Sequence, residues 1–289
     1  MDFGNVLTAM VTPFDQQGNV DLEQTTILVD YLIANGTEGL VIVGTTGESP
    51  TLSEKEKVML YQHVVTAVNK RIPVIAGTGS NDTASTIALT KEAEKCGVDG
   101  IMLVAPYYNR PNQQGLYQHF KVVAEQTTLP IMLYNIPGRS SVNIDAETII
   151  SLSEIDNIVS VKDASGNFNQ VSEVIENTDN EFTVYSGEDA LTLPLMSIGA
   201  KGVVSVSSHV IGNEMQSMVH ALNTGNVAEA ARMHRQLLPI MNGLFMVPSP
   251  APVKAALQMK GIEVGSVRLP LIDLTEQERE ILKKRIDDI

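Results

Sequence analysis

Eight short apolar runs recur along the chain, each followed by a stretch in which apolar residues return at helical spacing. The runs are VLTAMVTPF from Val6, GLVIVGTTG from Gly39, PVIAGTG from Pro73, GIMLVAP from Gly100, PIMLYNI from Pro130, IVSVKD from Ile158, FTVYSGE from Phe182 and GVVSVSS from Gly202. Their starts fall roughly 20 to 35 residues apart, the rhythm of βα units that build a parallel sheet. Eight such units, with no early Gly-x-Gly-x-x-Gly turn, predict an α/β fold of the closed (β/α)8 type and not a dinucleotide-binding open sheet.

Helix signals fall between the runs. Asp21 opens DLEQTTILVDYLIANG, whose apolar positions Leu22, Ile27, Leu28, Tyr31 and Leu32 share a face and which Gly36 stops. Ser53 and Glu56 form a capping box, Asn81 or Asp82 caps the helix that stops at Gly97, and Asp145 is placed to cap AETIISLSEI. After the eighth run the pattern becomes all-helical over Asn226 to Met246, Pro250 to Lys260 and Thr275 to Asp287, broken by PSPAP and VRLPLID. We therefore expect a barrel over residues 1–224 and a helical extension over 225–289, packed on the barrel because no Gly/Ser-rich linker separates them.

Composition narrows the field. The chain has 289 residues, 43% of them hydrophobic, enough to bury a sizeable core. Asp and Glu outnumber Lys and Arg 34 to 20, a formal charge of −14, which argues against nucleic acid or an anionic membrane as partner. Cys96 is the one cysteine, so there is no internal disulfide, and a reducing compartment suits it. The N-terminal MDFGNVLTAMVTPF lacks a basic region and a long apolar core, and no run reaches the length of a membrane span. The expectation is a soluble, cytoplasmic protein.

In a barrel the chemistry lies at the carboxyl ends of the strands. Here those ends carry GTTGES, GTGSN, PYYNR, YNIPGRS, KDASG, SGED and SVSSH, so threonines, tyrosines, arginine and a lysine converge on one rim. Lys162 ends an apolar strand, where a cation is costly. Alternation puts Ser160 and Lys162 on one face and Val161 and Asp163 on the other, so Asp163 is poorly placed to neutralise it. A half-desolvated lysine without a counter-ion tends to lose its proton and become a nucleophile; the plainer alternative is a strand-end lysine reaching solvent or a distant carboxylate.

The other rim residues also have two readings. GTTGES suits an anion held by backbone N–H groups, or is a tight strand-to-helix turn; it lacks the Gly-Lys-Ser/Thr ending of a phosphate loop. Tyr107 and Tyr108 lean towards a site or a subunit contact, against core aromatics. Tyr134 either relays protons or satisfies a buried hydrogen bond. Arg139, in a Pro-Gly turn, is a carboxylate fork or an ordinary surface arginine. Other chemistries fare worse. The five histidines show no metal-ligand spacing, and four sit in helical patterns where they are solvated or packed. There is no Gly-x-Ser-x-Gly elbow for a serine hydrolase, and Met102, Met132 and Met196 read as core filler. No metal and no cofactor is expected.

Together, GTTGES, the PYYNRPNQQGLYQHF loop, YNIPGRS and the lysine of VSVKDASG resemble the dihydrodipicolinate synthase (4-hydroxy-tetrahydrodipicolinate synthase) branch of the pyruvate-dependent class I aldolases. The resemblance covers the whole chain, with four motifs in order and on the matching strands. It implies a lyase of lysine and diaminopimelate biosynthesis that condenses pyruvate with L-aspartate 4-semialdehyde, usually as a homotetramer built from two tight dimers. It makes Lys162 the Schiff-base nucleophile and Tyr134 the proton-relay phenol, assisted by Thr45 and by Tyr108 from the neighbouring subunit. Thr46 would hold the pyruvate carboxylate and Arg139 the carboxylate of the semialdehyde, while Gly187 and the backbone of Val204 line the pocket. The rival within the family is N-acetylneuraminate lyase or a keto-deoxy-sugar aldolase; the Gly138–Arg139 pair favours the synthase, since a sugar needs hydroxyl partners and not a carboxylate fork. A non-catalytic ligand-binding barrel and a pyridoxal phosphate enzyme are the readings from other classes, and intact Lys162, Tyr134, Thr45 and Tyr108 argue against the first. The resemblance also places the family's L-lysine inhibition cleft at Ser49, Pro50, Glu54, Lys57, Asn81, Ser85 and Tyr107. Lysine-sensitive members carry histidines at the positions of Glu54 and Lys57 and a glutamate at that of Ser85, so inhibition is expected to be weak or absent.

Overall fold

The computed structural model describes residues 3–288. Strands β1 (Val6–Ala9), β2 (Gly39–Ile42), β3 (Val74–Gly77) and β4 (Gly100–Val104) alternate with helices α1 (Leu22–Ala34), α2 (Glu54–Val68), α3 (Thr83–Lys95) and α4 (Gln113–Ala124). Then follow β5 (Ile131–Asn135), the single turn α5 (Pro137–Ser140), α6 (Ala146–Ser153), β6 (Ile158–Asp163), α7 (Phe168–Asn177), β7 (Thr183–Ser186), α8 (Thr192–Met196) and β8 (Gly202–Ser205). Four helices finish the chain: α9 (Ser208–Asn223), α10 (Val227–Gly243), α11 (Ala251–Met259) and α12 (Glu276–Asp287). The eight strands pair in parallel in sequence order, and β8 pairs with β1 to close a barrel.

Alternation along each strand divides the core in two. Leu7, Ala9, Val41, Ile75, Met102, Met132, Tyr134, Tyr185 and Val204 form one buried cluster inside the barrel. Their strand neighbours, among them Val6, Leu40, Ile42, Leu103, Leu133, Val161 and Val203, pack outward against the helices. Apolar demand on both faces is why the strands read as continuous runs. The strands are shorter than those runs, most having four residues, because the tails form the loops of the rim.

Local signals behave as their chemistry dictates, with three exceptions. Asp21 accepts from Gln24 N, the Ser53–Glu56 capping box is complete, and Asp82, not Asn81, caps α3. Asp145 stands at the start of α6, but Asn143 Nδ2 donates to its carboxylate, so no side-chain cap bond forms. Pro137 opens a helical turn where the sequence suggested a Pro-Gly turn, its fixed φ suiting the first helical position. All five histidines are helical: the fifth, His209, lies at the start of α9, where Val11 N donates to its Nε2 at 3.1 Å and Nδ1 pairs with Val206 O at 2.8 Å. Burial drives its pKa down to about 4, so it stays neutral. The last helices pack on one another and on α9, and the apolar cluster outside the barrel runs on through Leu237, Ile240, Leu257 and Leu282.

Candidate active site

The carboxyl ends of β2 to β5 surround a cavity of about 220 Å³ lined by Gly44, Thr45, Ser49, Tyr107, Tyr134 and Arg139, among others. Lys162, on β6, is next to this cavity through its strand partner Tyr134, one of the lining residues. The strand pairing sets Lys162 level with Tyr134 on one side and Tyr185 on the other. Its Nζ stands 4.1 Å from the centre of the Tyr134 ring, and the residue is 5% exposed. Among the described residues it has no ion-pair partner. Burial therefore lowers its pKa to about 8, opposed by the attraction of Asp189 and reinforced by the repulsion of Arg139. At neutral pH such an amine keeps a useful neutral fraction, far above that of a solvated lysine.

Asp163, on the opposite face of β6, is engaged elsewhere, as alternation requires. Its carboxylate accepts from Asn135 Nδ2 at 3.0 Å, Ser165 N at 2.9 Å and Ser165 Oγ at 2.6 Å. These bonds fix the loop after β6. Tyr134 ends the neighbouring strand with its phenol buried, which pushes its pKa up to about 12; Arg139 and the Thr45 side chain pull the other way. Thr46 is buried beside Thr45 in the Gly44–Ser49 turn. That turn is closed by Glu48 N donating to Thr45 O at 3.1 Å and Ser49 N to Gly44 O at 3.2 Å.

Arg139 stands exposed in α5 at the mouth of the cavity, close enough for its charge to act on both Tyr134 and Lys162. Gly187 donates its N–H to Asp163 O at 2.6 Å, and a Cβ there would lie 2.8 Å from that of Ala164, so only glycine lets the ends of β6 and β7 approach this closely. Val204 is buried inside the barrel, level with Leu7. The two rim tyrosines part company: Tyr107 lines the cavity, while Tyr108 is 89% exposed on a backbone with φ +74°.

One residue of the site went unassigned in the sequence. Asp189 is fully buried, accepting from Val206 N at 3.1 Å, Ser207 N and Oγ at 2.9 Å, and Ser205 Oγ. Burial raises its pKa, these donors lower it, and its charge is the carboxylate that acts on Lys162. The signal was an acid at the end of β7 facing a hydroxyl-rich SVSSH stretch at the end of β8. Among the described residues no group of three or more His, Cys, Asp or Glu side chains could hold a metal, and no helix is long and apolar enough to cross a membrane.

A closed (β/α)8 barrel with a desolvated lysine at the end of β6, under a phenol and beside a hydroxyl-bearing turn, defines a barrel enzyme of the aldolase type. The model of the dihydrodipicolinate synthetase family matches residues 2–289. The chain is 61% identical over 289 residues to 4-hydroxy-tetrahydrodipicolinate synthase 2 of Halalkalibacterium halodurans, covering 100% of this chain and 99% of that protein. It is 56% identical over 290 residues to 4-hydroxy-tetrahydrodipicolinate synthase of Bacillus subtilis, covering 100% of both. A crystal structure of dihydrodipicolinate synthase from Bacillus anthracis superposes with a TM-score of 0.99 at 60% identity, covering 100% of this chain and 99% of that one. The chain belongs to the dihydrodipicolinate synthetase family.

Proposed function

We propose that this chain condenses pyruvate with L-aspartate 4-semialdehyde to 4-hydroxy-tetrahydrodipicolinate, in the biosynthesis of diaminopimelate and lysine. The observation that carries the reading is the Lys162 amine, unpaired, with a pKa of about 8, 4.1 Å from the ring of Tyr134, which lines the cavity. The neutral amine attacks the ketone carbon of pyruvate. Tyr134, assisted by Thr45, delivers the proton with which the carbinolamine hydroxyl leaves as water, giving an imine. Loss of a proton from the methyl group then forms an enamine, whose carbon adds to the aldehyde of the semialdehyde. The amino group of that substrate attacks the imine carbon, closing the ring and releasing Lys162.

The remaining roles follow the charges of the substrates. Thr46 and the N–H groups of its turn hold the pyruvate carboxylate, and Arg139 receives that of the semialdehyde. Gly187 and the backbone of Val204 line the pocket. Tyr108 points into solvent within its own chain and acts in the site of a neighbouring subunit, so a homotetramer of two tight dimers is the working assembly, in the cytoplasm. Both substrates are anions and the chain carries −14, so these local donors must outweigh an unfavourable overall field.

The experiment compares pyruvate plus aspartate semialdehyde with pyruvate plus N-acetylmannosamine. Turnover of the first pair alone is the expected result; turnover of the second would assign the chain to the sugar-lyase branch. Borohydride added with pyruvate should leave a reduced pyruvyl mass on the Lys162 peptide, and its absence would sink the mechanism.

A further inference from the structure

The chemistry above leaves one residue of the Gly44–Ser49 turn without a task. Glu48 follows the two threonines and Gly47 with φ +56° and ψ +34°, the left-handed region in which a non-glycine residue is held only by its surroundings. Its side chain, 1% exposed, meets Lys254 of α11, whose side chain is 2% exposed, with Oε1 and Nζ 2.8 Å apart. Its second oxygen accepts the backbone N–H of Arg268 at 2.8 Å. Lys254 also donates to Ser266 O at 2.8 Å and sits 4.2 Å from the centre of the Phe14 ring. The Arg268 guanidinium returns to the far end of the turn, donating to Thr51 O at 2.8 Å and pairing with Glu56.

Helix α11 and the segment that joins it to α12 thus hold the C-terminal end of the turn and the residues just after it. As a source of stability the pair is a poor choice, because desolvating two charges roughly cancels their attraction and a well-packed apolar pair would serve as well. What a buried carboxylate does supply, ion-paired through one oxygen and hydrogen-bonded through the other, is a single allowed position. Glu48 is adjacent to Gly47 and two residues from Thr46, so a change in its backbone torsions swings both threonines.

We propose that Glu48 and Lys254 are positioning residues: their ion pair locks the left-handed turn so that Thr45 and Thr46 meet Tyr134 and the pyruvate carboxylate in register. The C-terminal helices would then set the pyruvate side of the site without touching substrate. The inference rests on the roles proposed above for Lys162 and Thr46.

Glu48→Gln, Lys254→Met, the double variant, and Leu282→Ala in the core of α12 decide it. Three quantities are read: the pyruvate concentration that gives half-maximal borohydride trapping at Lys162, the KM of each substrate, and Tm. In Lys254→Met and in the double variant, half-saturating pyruvate should rise about tenfold or more, while KM for the semialdehyde moves less than about threefold. The double variant should regain Tm relative to Lys254→Met without regaining pyruvate affinity. Leu282→Ala should lose Tm and keep wild-type pyruvate affinity. If Lys254→Met does not fold, Glu48→Gln, which preserves shape and an acceptor, carries the measurement, and its half-saturating pyruvate should still rise. Wild-type pyruvate affinity in the double variant or in Glu48→Gln, or an equal loss in Leu282→Ala, overturns the proposal. Absence of any Lys162 adduct in the wild type would instead sink the proposed function, and the two failures are told apart by that control.

Discussion

Two lysines are buried among the described residues, Lys162 in the barrel and Lys254 in α11, and burial draws both to a pKa of about 8. Lys254 is met by a carboxylate 2.8 Å away, a carbonyl and an aromatic face. Lys162 has no counter-ion within pairing distance among the described residues; its nearest charged influences are Asp189, which favours the cation, and Arg139, which opposes it. Desolvation alone therefore does not make a nucleophile. Lys254 is bound up as one half of a pair, whereas Lys162 is unpaired and lies against Tyr134, whose side chain lines the cavity. The same cost has been turned to structure in one place and to reactivity in the other.

Truncating each lysine should separate these uses most widely. Lys162→Ala removes a buried charge with no partner to orphan, so turnover should fall at least about a thousandfold while Tm stays near wild type. Lys254→Ala strands the Glu48 carboxylate and should destabilise by about 3–5 kcal/mol. Calorimetry and steady-state rates on the two variants test the contrast; a Lys162→Ala protein that loses stability as Lys254→Ala does would show that Lys162 is structural. Borohydride with pyruvate should label Lys162 and leave Lys254 untouched.

The pH profile sharpens the same point. A solvated lysine gains its neutral form only near its ordinary pKa of about 10.5. With the Lys162 pKa lowered to about 8, the neutral fraction rises about tenfold per unit below that value and levels off above it. Trapping rates at fixed low pyruvate should thus climb about fiftyfold from pH 6 to 8 and less than about twofold more by pH 9. A rate still climbing tenfold per unit at pH 9 would mean that the amine is not desolvated in solution.

What the sequence carried and what it did not divide along the range of the interactions. The eight strands were legible because both faces are buried, which leaves an apolar run with few polar interruptions. Lys162 and Tyr134 were legible because each interrupts such a run at its end. The turn of α5 was read only as a Pro-Gly turn because proline and glycine suggest a bend, and the position of Pro137 at the first helical residue makes it helical. Asp145 was a sound cap by residue type, but a local competitor, Asn143, donates to its carboxylate. Asp189 and Glu48 could not be assigned at all. Their partners, Ser205 and Ser207 for one and Lys254 for the other, lie on different elements and come together only when the barrel closes and the last helices dock.

Arg139 provides a smaller and more selective test. It is an exposed cation at the mouth, where Lys162 is a buried one. If Arg139 receives the semialdehyde carboxylate as proposed, Arg139→Ala removes a charge-assisted contact worth about 1.5–3 kcal/mol, so kcat/KM for the semialdehyde should fall about 10- to 150-fold. Half-saturating pyruvate in the trapping assay should change far less. An equal loss of pyruvate trapping would give Arg139 a different role.

The smallest expected effect is that of L-lysine, and it depends on a third lysine. Lys57 is half-buried in α2, where burial lowers its pKa and Glu54 pulls it back up. It belongs to the cleft that the family resemblance assigns to the inhibitor, together with Ser49, Pro50 and Tyr107, which line the rim cavity. L-Lysine, with two ammonium groups, one carboxylate and a net charge of +1, would meet a like charge in a partly desolvated setting, which repels its ammonium groups. The carboxylate that would balance an ammonium is missing: Ser85 stands in its place, exposed on the first turn of α3, its backbone N–H donating to Asp82 at 2.7 Å. Glu54 offers a carboxylate in compensation, but it already acts on Lys57, so a bound ammonium would compete with that cation for it. Millimolar L-lysine should therefore leave steady-state rates nearly unchanged. Lys57→His with Ser85→Glu should introduce saturable inhibition, since the pair removes the repelling charge and supplies the missing one. Strong inhibition of the wild type would show that Glu54 binds the ligand in spite of Lys57.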